Sequence, residues 1–238
     1  MGGRQWPPIF LLAAAIAITI HYLKLRLFRY IDFNEYNLLI LIYMTGIILT
    51  GGKSSRMGRN KAFLKINGDV IIERIVRLFK EIFDEVILVT NSPDEYKYLN
   101  TRIVSDIYPQ GCSLIGIYSG LYHSSSQYSF VAACDMPFLK KDFIEYLINQ
   151  KDGYDIVIPF SPDGQQPLHA IYSKTCLKPM EDQIKKDALK IVDILHGLSV
   201  RYVKEDEIIP FDPEFKSFFN VNTPSEFQKA EEMTAKGY

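Results

Sequence analysis

The densest cluster of chemically useful side chains in the chain is Gly46-Ile-Ile-Leu-Thr-Gly-Gly-Lys-Ser-Ser-Arg-Met-Gly-Arg-Asn-Lys61. Lys53, Arg56, Arg59 and Lys61 concentrate positive charge there, and Ser54 and Ser55 add hydroxyl donors. The adjacent Gly51 and Gly52 let the main chain turn tightly and bring bare N–H groups against a ligand. A segment of this kind can surround a strongly anionic group, and a polyphosphate fits. Two familiar phosphate loops do not describe it. A P-loop has a second glycine five positions after the first, where this chain has Arg56 (after Gly51) or Met57 (after Gly52). A dinucleotide fingerprint reads G-x-G-x-x-G, whereas the row here is Gly-Gly-Lys-Ser-Ser-Arg.

A second chemical element is Cys134-Asp-Met-Pro137, where Asp135 follows an apolar run directly. A carboxylate in that position can present oxygen to Mg2+, which neutralises phosphate oxygens; without a ligand it would cap the helix expected after Pro137. Asn91 and Asp106 each end an apolar run in the same way, and Asn91 alone would also suit an Asx turn into Ser92-Pro93. The three cysteines, Cys112, Cys134 and Cys176, are odd in number and form no C-x-x-C pair. That favours a reducing compartment, with no disulfide framework or zinc site expected. The four histidines are scattered and make no metal-binding pair.

The elements that must hold these residues alternate. Ile47 to Leu49 reads as a buried strand, Val70 to Phe83 as an amphipathic helix, Val86 to Val89 as a second strand, and Ile103-Val104 as a third. Leu114 to Tyr122 reads as a helix, Phe130 to Ala133 as a fourth strand, and Phe138 to Asn149 as a helix. This is the pattern of an α/β, doubly wound, mostly parallel sheet, in which ligands bind at the carboxyl ends of strands. Those ends carry Gly51-Gly52, Asn91, Asp106 and Asp135, as one shared cleft requires. Beyond them, 155–159 and 168–172 read as a hairpin around the turn-rich Ser161 to Pro167, with helices expected at 174–186 and 187–196 and a strand at 200–203. Thr223-Pro-Ser-Glu226 carries the signature of a capping box at the start of a last helix.

Residues 1–43 differ from the rest. Ile9 to Ile20 is apolar save for Thr19, short of the roughly 20 residues of a membrane span. Lys24, Arg26 and Arg29 follow it. The expectation is an N-terminal extension outside the fold, a functional start at or near Met44, and one folded domain over 44–238. The net charge of −1 gives no global field for nucleic acid or for an acidic membrane, so neither is an expected partner.

The order strand, Leu-x-Gly-Gly, small and basic residues, Arg-Met-Gly, then Lys resembles the signature loop of the nucleotidyltransferases. Within them it is most similar to the molybdenum cofactor guanylyltransferases, with Thr50 in place of their alanine and Asn60 in place of their aspartate. Cys134-Asp-Met-Pro137 matches the same family, and Gly111-Cys-Ser-Leu-Ile-Gly116 stands where the family has Gly-Pro-Leu-x-Gly. The resemblance implies transfer of GMP from GTP to the terminal phosphate of Mo-molybdopterin in the cytoplasm, with Mg2+ as cofactor and pyrophosphate released. It also implies transient contact with molybdoenzymes or cofactor-inserting proteins. It further implies Lys61, Arg56 and Asp135 as the catalytic set, with Asp135 on the metal. Leu49, Thr50, Gly51, Gly52, Lys61, Asn91, Asp106 and Asp135 would hold the nucleotide. Asn220 and Asn222, in Asn-x-Asn-Thr-Pro, would lie on the second substrate's side. The competing readings are a cytidylyltransferase acting on molybdopterin or a small phosphorylated alcohol, and a non-catalytic nucleotide-binding regulator.

Overall fold

A computed structural model describes residues 43–50 and 61–235. The expectations for residues 1–42 and for the Gly51 to Asn60 loop, Gly51, Gly52 and Arg56 included, lie outside the described residues.

The apolar run before the glycines forms β1 (Met44–Leu49), buried along its whole length. Its alternate residues serve two cores. Met44 and Ile48 face one layer, Ile47 and Leu49 the other, which is why the strand reads as continuously apolar rather than alternating. Lys65–Ile66 (β2) and Asp69–Val70 (β3) make a small separate hairpin leading into α1 (Ile71–Ile82), whose buried face is Ile71, Ile72, Ile75, Val76 and Phe79. β4 (Glu85–Val89) and β5 (Arg102–Val104) follow, then α2 (Ser113–His123), β6 (Tyr128–Ala133) and α3 (Lys141–Ile148). The rest comprises β7 (Ile156–Ser161), β8 (Gly164–Gln165), β9 (His169–Ser173), α4 (Leu177–Lys185), β10 (Val200–Val203), α5 (Glu205–Ile208) and α6 (Pro224–Ala235).

Eight of these strands form one sheet in the order β10-β7-β9-β6-β1-β4-β5, with β8 added to β7. Strands β6, β1, β4 and β5 are parallel and β9 runs against both of its neighbours, so the sheet is mostly parallel, as expected. α1 and α3 cover one face and α2 and α4 the other. α2 is buried over Leu114 to Leu121, as befits a helix held between the sheet and α4.

Close approach of α2 to β1 depends on glycine. A Cβ at Gly120 would stand 2.6 Å from Ile47 Cγ2, and one at Gly116 would stand 3.3 Å from Leu49 Cδ2. Gly120→Ala is therefore expected to destabilise by about 1–3 kcal/mol through overpacking, against the roughly 1 kcal/mol that alanine ordinarily gains in a helix. Urea unfolding checks it; a stabilised variant would mean that α2 can shift freely.

Three sequence expectations shift. The helix after Asp135 starts at Lys141 rather than Phe138, because Pro137 and Phe138 belong to a turn that buries Phe138 and Leu139 without helical backbone. The segment expected as a helix over 187–196 is only a 3-10 turn at Ile191–Leu195, and that over 174–186 begins as a 3-10 turn at Lys174–Cys176.

At the end of the sheet away from the glycine loop, Glu85 gathers several donors. Glu85 Oε2 accepts from the Thr45 hydroxyl (2.9 Å), the Ser125 N–H (3.0 Å) and the Ser125 hydroxyl (2.7 Å), while Arg102 binds Oε1 at 2.6 Å. Burial alone would raise the Glu85 pKa; this set of donors leaves it lowered instead.

Candidate active site

The cleft is set by register. Leu49 pairs with Val89 on one side and Ala133 on the other, and Val89 pairs with Val104, so four parallel strands end level with one another. The residues just past these ends are presented along one line: Thr50 after β1, Thr90 and Asn91 after β4, Asp106 after β5, and Asp135 after β6.

The ladder continues just past the strands. Thr50 N–H donates to the Val89 carbonyl (3.0 Å), and its hydroxyl donates to the same oxygen (3.0 Å). The Thr50 side chain is thus turned back on the sheet, and Cys134 N–H donates to the Leu49 carbonyl (3.0 Å). These bonds stop the chain from fraying where it enters the glycine loop. Asn91 and Asp106 hold each other: Asn91 Nδ2 donates to Asp106 Oδ2 (2.8 Å) and Asp106 N–H to Asn91 Oδ1 (3.1 Å). Burial nevertheless raises the Asp106 pKa against the Asn91 bond.

Asp135 is poorly satisfied. Its Oδ1 is buried and finds no hydrogen-bond partner among the described residues. Burial raises its pKa, the Lys61 ammonium opposes that rise, and the Glu226 carboxylate adds to it. Its position rules out the capping role, since α3 starts six residues on with Lys140 at its N-cap. Asp135 is bonded through its backbone instead, its carbonyl accepting from Val221 N–H at 2.9 Å.

That last bond brings in the far end of the chain. Lys61, opening a 3-10 turn over Lys61–Phe63, donates from Nζ to Asn222 Oδ1 at 2.8 Å across 161 residues of sequence. Asn220 uses its Nδ2 on the Phe218 carbonyl (3.1 Å). Lys61, Asp135 and Asn222 are therefore drawn together, Asn220 turns its side chain back on the Phe218 carbonyl, and Asn91 and Asp106 form a separate pair at the ends of β4 and β5. Glu226 was not among the residues singled out from sequence for chemistry. Its only signal there is the capping pattern after Thr223.

A buried carboxylate oxygen without a partner suits a hard cation. Among the described residues no group of three or more His, Cys, Asp or Glu could hold a metal by itself. Asp135 would thus supply one protein ligand and leave most positions to water and phosphate oxygens, which is how Mg2+ is usually held at nucleotides. His169 contributes nothing of this kind. It is wholly buried on β9 between the rings of Phe130, Phe143 and Phe218. Burial lowers its pKa to about 3, against the pull of Asp212, whose carboxylate lies 3.2 Å from Lys140 Nζ. The unfolded chain therefore binds a proton that the folded chain refuses, so stability falls as pH drops below the ordinary histidine value of 6.5 towards about 3. His169→Met should match the parent near pH 7 and exceed it by about 2 kcal/mol at pH 5, measured by urea unfolding. Parallel pH curves would refute it.

A family model described as the MobA-like NTP transferase domain matches residues 46–198. A Clostridium perfringens protein named "probable molybdenum cofactor guanylyltransferase" is 42% identical over 191 residues, 79% of this chain and 96% of that protein. A molybdenum cofactor guanylyltransferase of Desulfosudis oleivorans is 37% identical over 196 residues, 82% of this chain and 97% of that protein. Molybdopterin-guanine dinucleotide biosynthesis protein A from Archaeoglobus fulgidus has a solved structure similar to this one. The TM-score is 0.72 at 30% identity, and the match covers 81% of this chain and all of the other.

Proposed function

The chain belongs to the MobA-like NTP transferase family, and on that premise we propose that it transfers GMP from GTP to the terminal phosphate of Mo-molybdopterin. The products are the molybdopterin guanine dinucleotide cofactor and pyrophosphate. The observation that carries this reading is the buried Asp135 Oδ1, without a hydrogen-bond partner among the described residues, beside the Lys61 ammonium at the end of β6.

In this reaction an acceptor phosphate oxygen attacks the α-phosphorus of GTP, and the bond from that phosphorus to the α,β-bridging oxygen breaks. The acceptor is already an anion, so no side chain has to take a proton from it. What remains for the protein is alignment and control of charge. Mg2+, bound to Asp135 and the phosphates, would supply neutralisation of the charge on the triphosphate. Lys61 supplies a cation whose hydrogen-bond partner, Asn222, is a neutral carboxamide, so its charge stays available to phosphate. Gly51, Gly52 and Arg56 would enclose the phosphates from the loop. Leu49 and Thr50 fix where that loop begins, and Asn91 and Asp106 would line the nucleoside side. Asn220 and Asn222 would face the acceptor. The cytoplasm, where GTP is plentiful, is the compartment this chemistry requires; among the described residues no helix is long and apolar enough to cross a membrane.

The test is pyrophosphate release on mixing the protein with Mg2+, Mo-molybdopterin and each of GTP, CTP and ATP in turn. GTP should support turnover and bind most tightly. Equal or better use of CTP would overturn the guanine assignment, and no release with any nucleotide would leave a binding protein.

A further inference from the structure

Resting on the nucleotidyl-transfer reading, we propose that Glu226 is a positioning residue for the reaction: it fixes the backbone of Asn222, whose carboxamide in turn holds the Lys61 ammonium beside Asp135.

Glu226 lies three residues after Thr223, at the start of α6, and its Oε2 accepts two hydrogen bonds. One comes from the Thr223 hydroxyl at 3.0 Å and the other from the Asn222 N–H at 2.7 Å. Thr223 behaves as the helix cap, its hydroxyl accepting from Glu226 N–H at 3.2 Å and its carbonyl from Phe227 N–H at 3.0 Å. In an ordinary capping box the acid in Glu226's position bonds back to the N–H of the cap residue itself. Here the strong bond falls one residue earlier, on Asn222. It satisfies the backbone of a residue in the cleft rather than a donor of the helix.

The consequence for Asn222 is a backbone pinned from both sides. Upstream, Val221 N–H is held by the Asp135 carbonyl at 2.9 Å; downstream, Glu226 holds Asn222 itself. Asn222 is exposed, so no packing fixes its side chain, and the two backbone anchors are what aim Oδ1 at Lys61. Lysine has four rotatable bonds and loses substantial rotamer entropy when held in one geometry. A fixed neutral acceptor restrains it without quenching its charge. Glu226 could not do this job directly, because a carboxylate on the ammonium would compete with phosphate.

The experiment compares the full-length parent with Glu226→Ala, Glu226→Gln, Asn222→Ala and the Glu226→Ala/Asn222→Ala double variant. It reads kcat, KM for GTP and for the acceptor, melting temperature, and the NMR signal of the Lys61 side-chain ammonium in the free protein. Glu226→Ala should lower kcat by about tenfold, the lower end of what outer-shell groups usually contribute. Glu226→Gln should recover most of that loss, since its carbonyl oxygen can accept the same N–H. In the double variant the alanine at 226 should cost nothing beyond Asn222→Ala. Glu226→Ala should also release the Lys61 ammonium into fast exchange. The proposal is overturned if Glu226→Ala lowers only the melting temperature, with kcat and the Lys61 signal as in the parent. If the parent itself transfers no nucleotide, the reading of function fails, and the Lys61 signal alone decides whether Glu226 positions it.

Discussion

Asp135→Asn is expected to give a folded protein that has lost nucleotidyl transfer by at least about a hundredfold, and that melts higher than the parent when free of metal and nucleotide. Both effects have one cause. The Asp135 carboxylate sits where burial disfavours its charge, and one of its oxygens has no hydrogen-bond partner among the described residues. Its pKa in the folded protein is raised above the ordinary aspartate value of 3.8, so the fold prefers the protonated acid. That contribution to stability is present below the unfolded pKa and is lost as pH rises through the folded one. At neutral pH the ionised group opposes folding, and an amide of the same size removes the opposition. Each kcal/mol relieved should raise Tm by about 2–4 °C for a chain of this size. The gain should fade below about pH 4, where the parent's carboxyl is neutral as well. Calorimetry across that pH range, alongside pyrophosphate release, measures both halves. A variant with parental turnover would remove Asp135 from the metal, and a variant no more stable than the parent would mean that its burial is relieved by some other group.

Lys61→Ala should lower the rate by about a hundredfold or more, if the ammonium stabilises charge developing on the phosphates. The effect should fall on kcat. A rise confined to KM would mean that Lys61 binds ground state and transition state alike. A second signature comes from its neighbour. Lys61 is the cation that opposes the upward shift of the Asp135 pKa, so its removal should push that pKa higher still. Since the carboxylate form is the one that binds metal, the acid limb of the pH–rate profile should move to higher pH in the residual activity of Lys61→Ala. Lys61→Arg, which keeps the charge, should move it less. An unchanged limb would show that Lys61 and Asp135 do not act on each other.

The parallel half of the fold was legible because its physics is local. Ile47 to Leu49, Val86 to Val89 and Phe130 to Ala133 are apolar on both faces and end abruptly in polar residues, so strand, strand end and cleft all come from one pattern. Asp135 stood out for the same reason. What stayed hidden depends on partners far away in sequence. Nothing near His169 says that β9 inserts between β6 and β7 rather than lying at an edge, because that choice is made by pairing with Phe130, Val131 and Ala132 some forty residues earlier. The helix expected from Phe138 failed because Phe138 and Leu139 are buried in a turn, which periodicity cannot distinguish from a helix face. The link from Lys61 to Asn222 spans 161 residues, and the bond from Asn222 to Glu226 mimics ordinary capping in the sequence.

The reversed direction of β9 also bears on how such enzymes can be diversified. Because β9 begins at the same sheet edge where β6 and β7 end, the chain between Ser161 and His169 leaves and re-enters the sheet at the rim of the cleft. Its β8 strand pairs only with the last residues of β7, so the four-strand nucleotide half takes no register from it. Lengthening, shortening or grafting this segment would change that rim while leaving β1, β4, β5 and β6 aligned. It is therefore a point at which sequence can be exchanged without disturbing the register of the parallel strands.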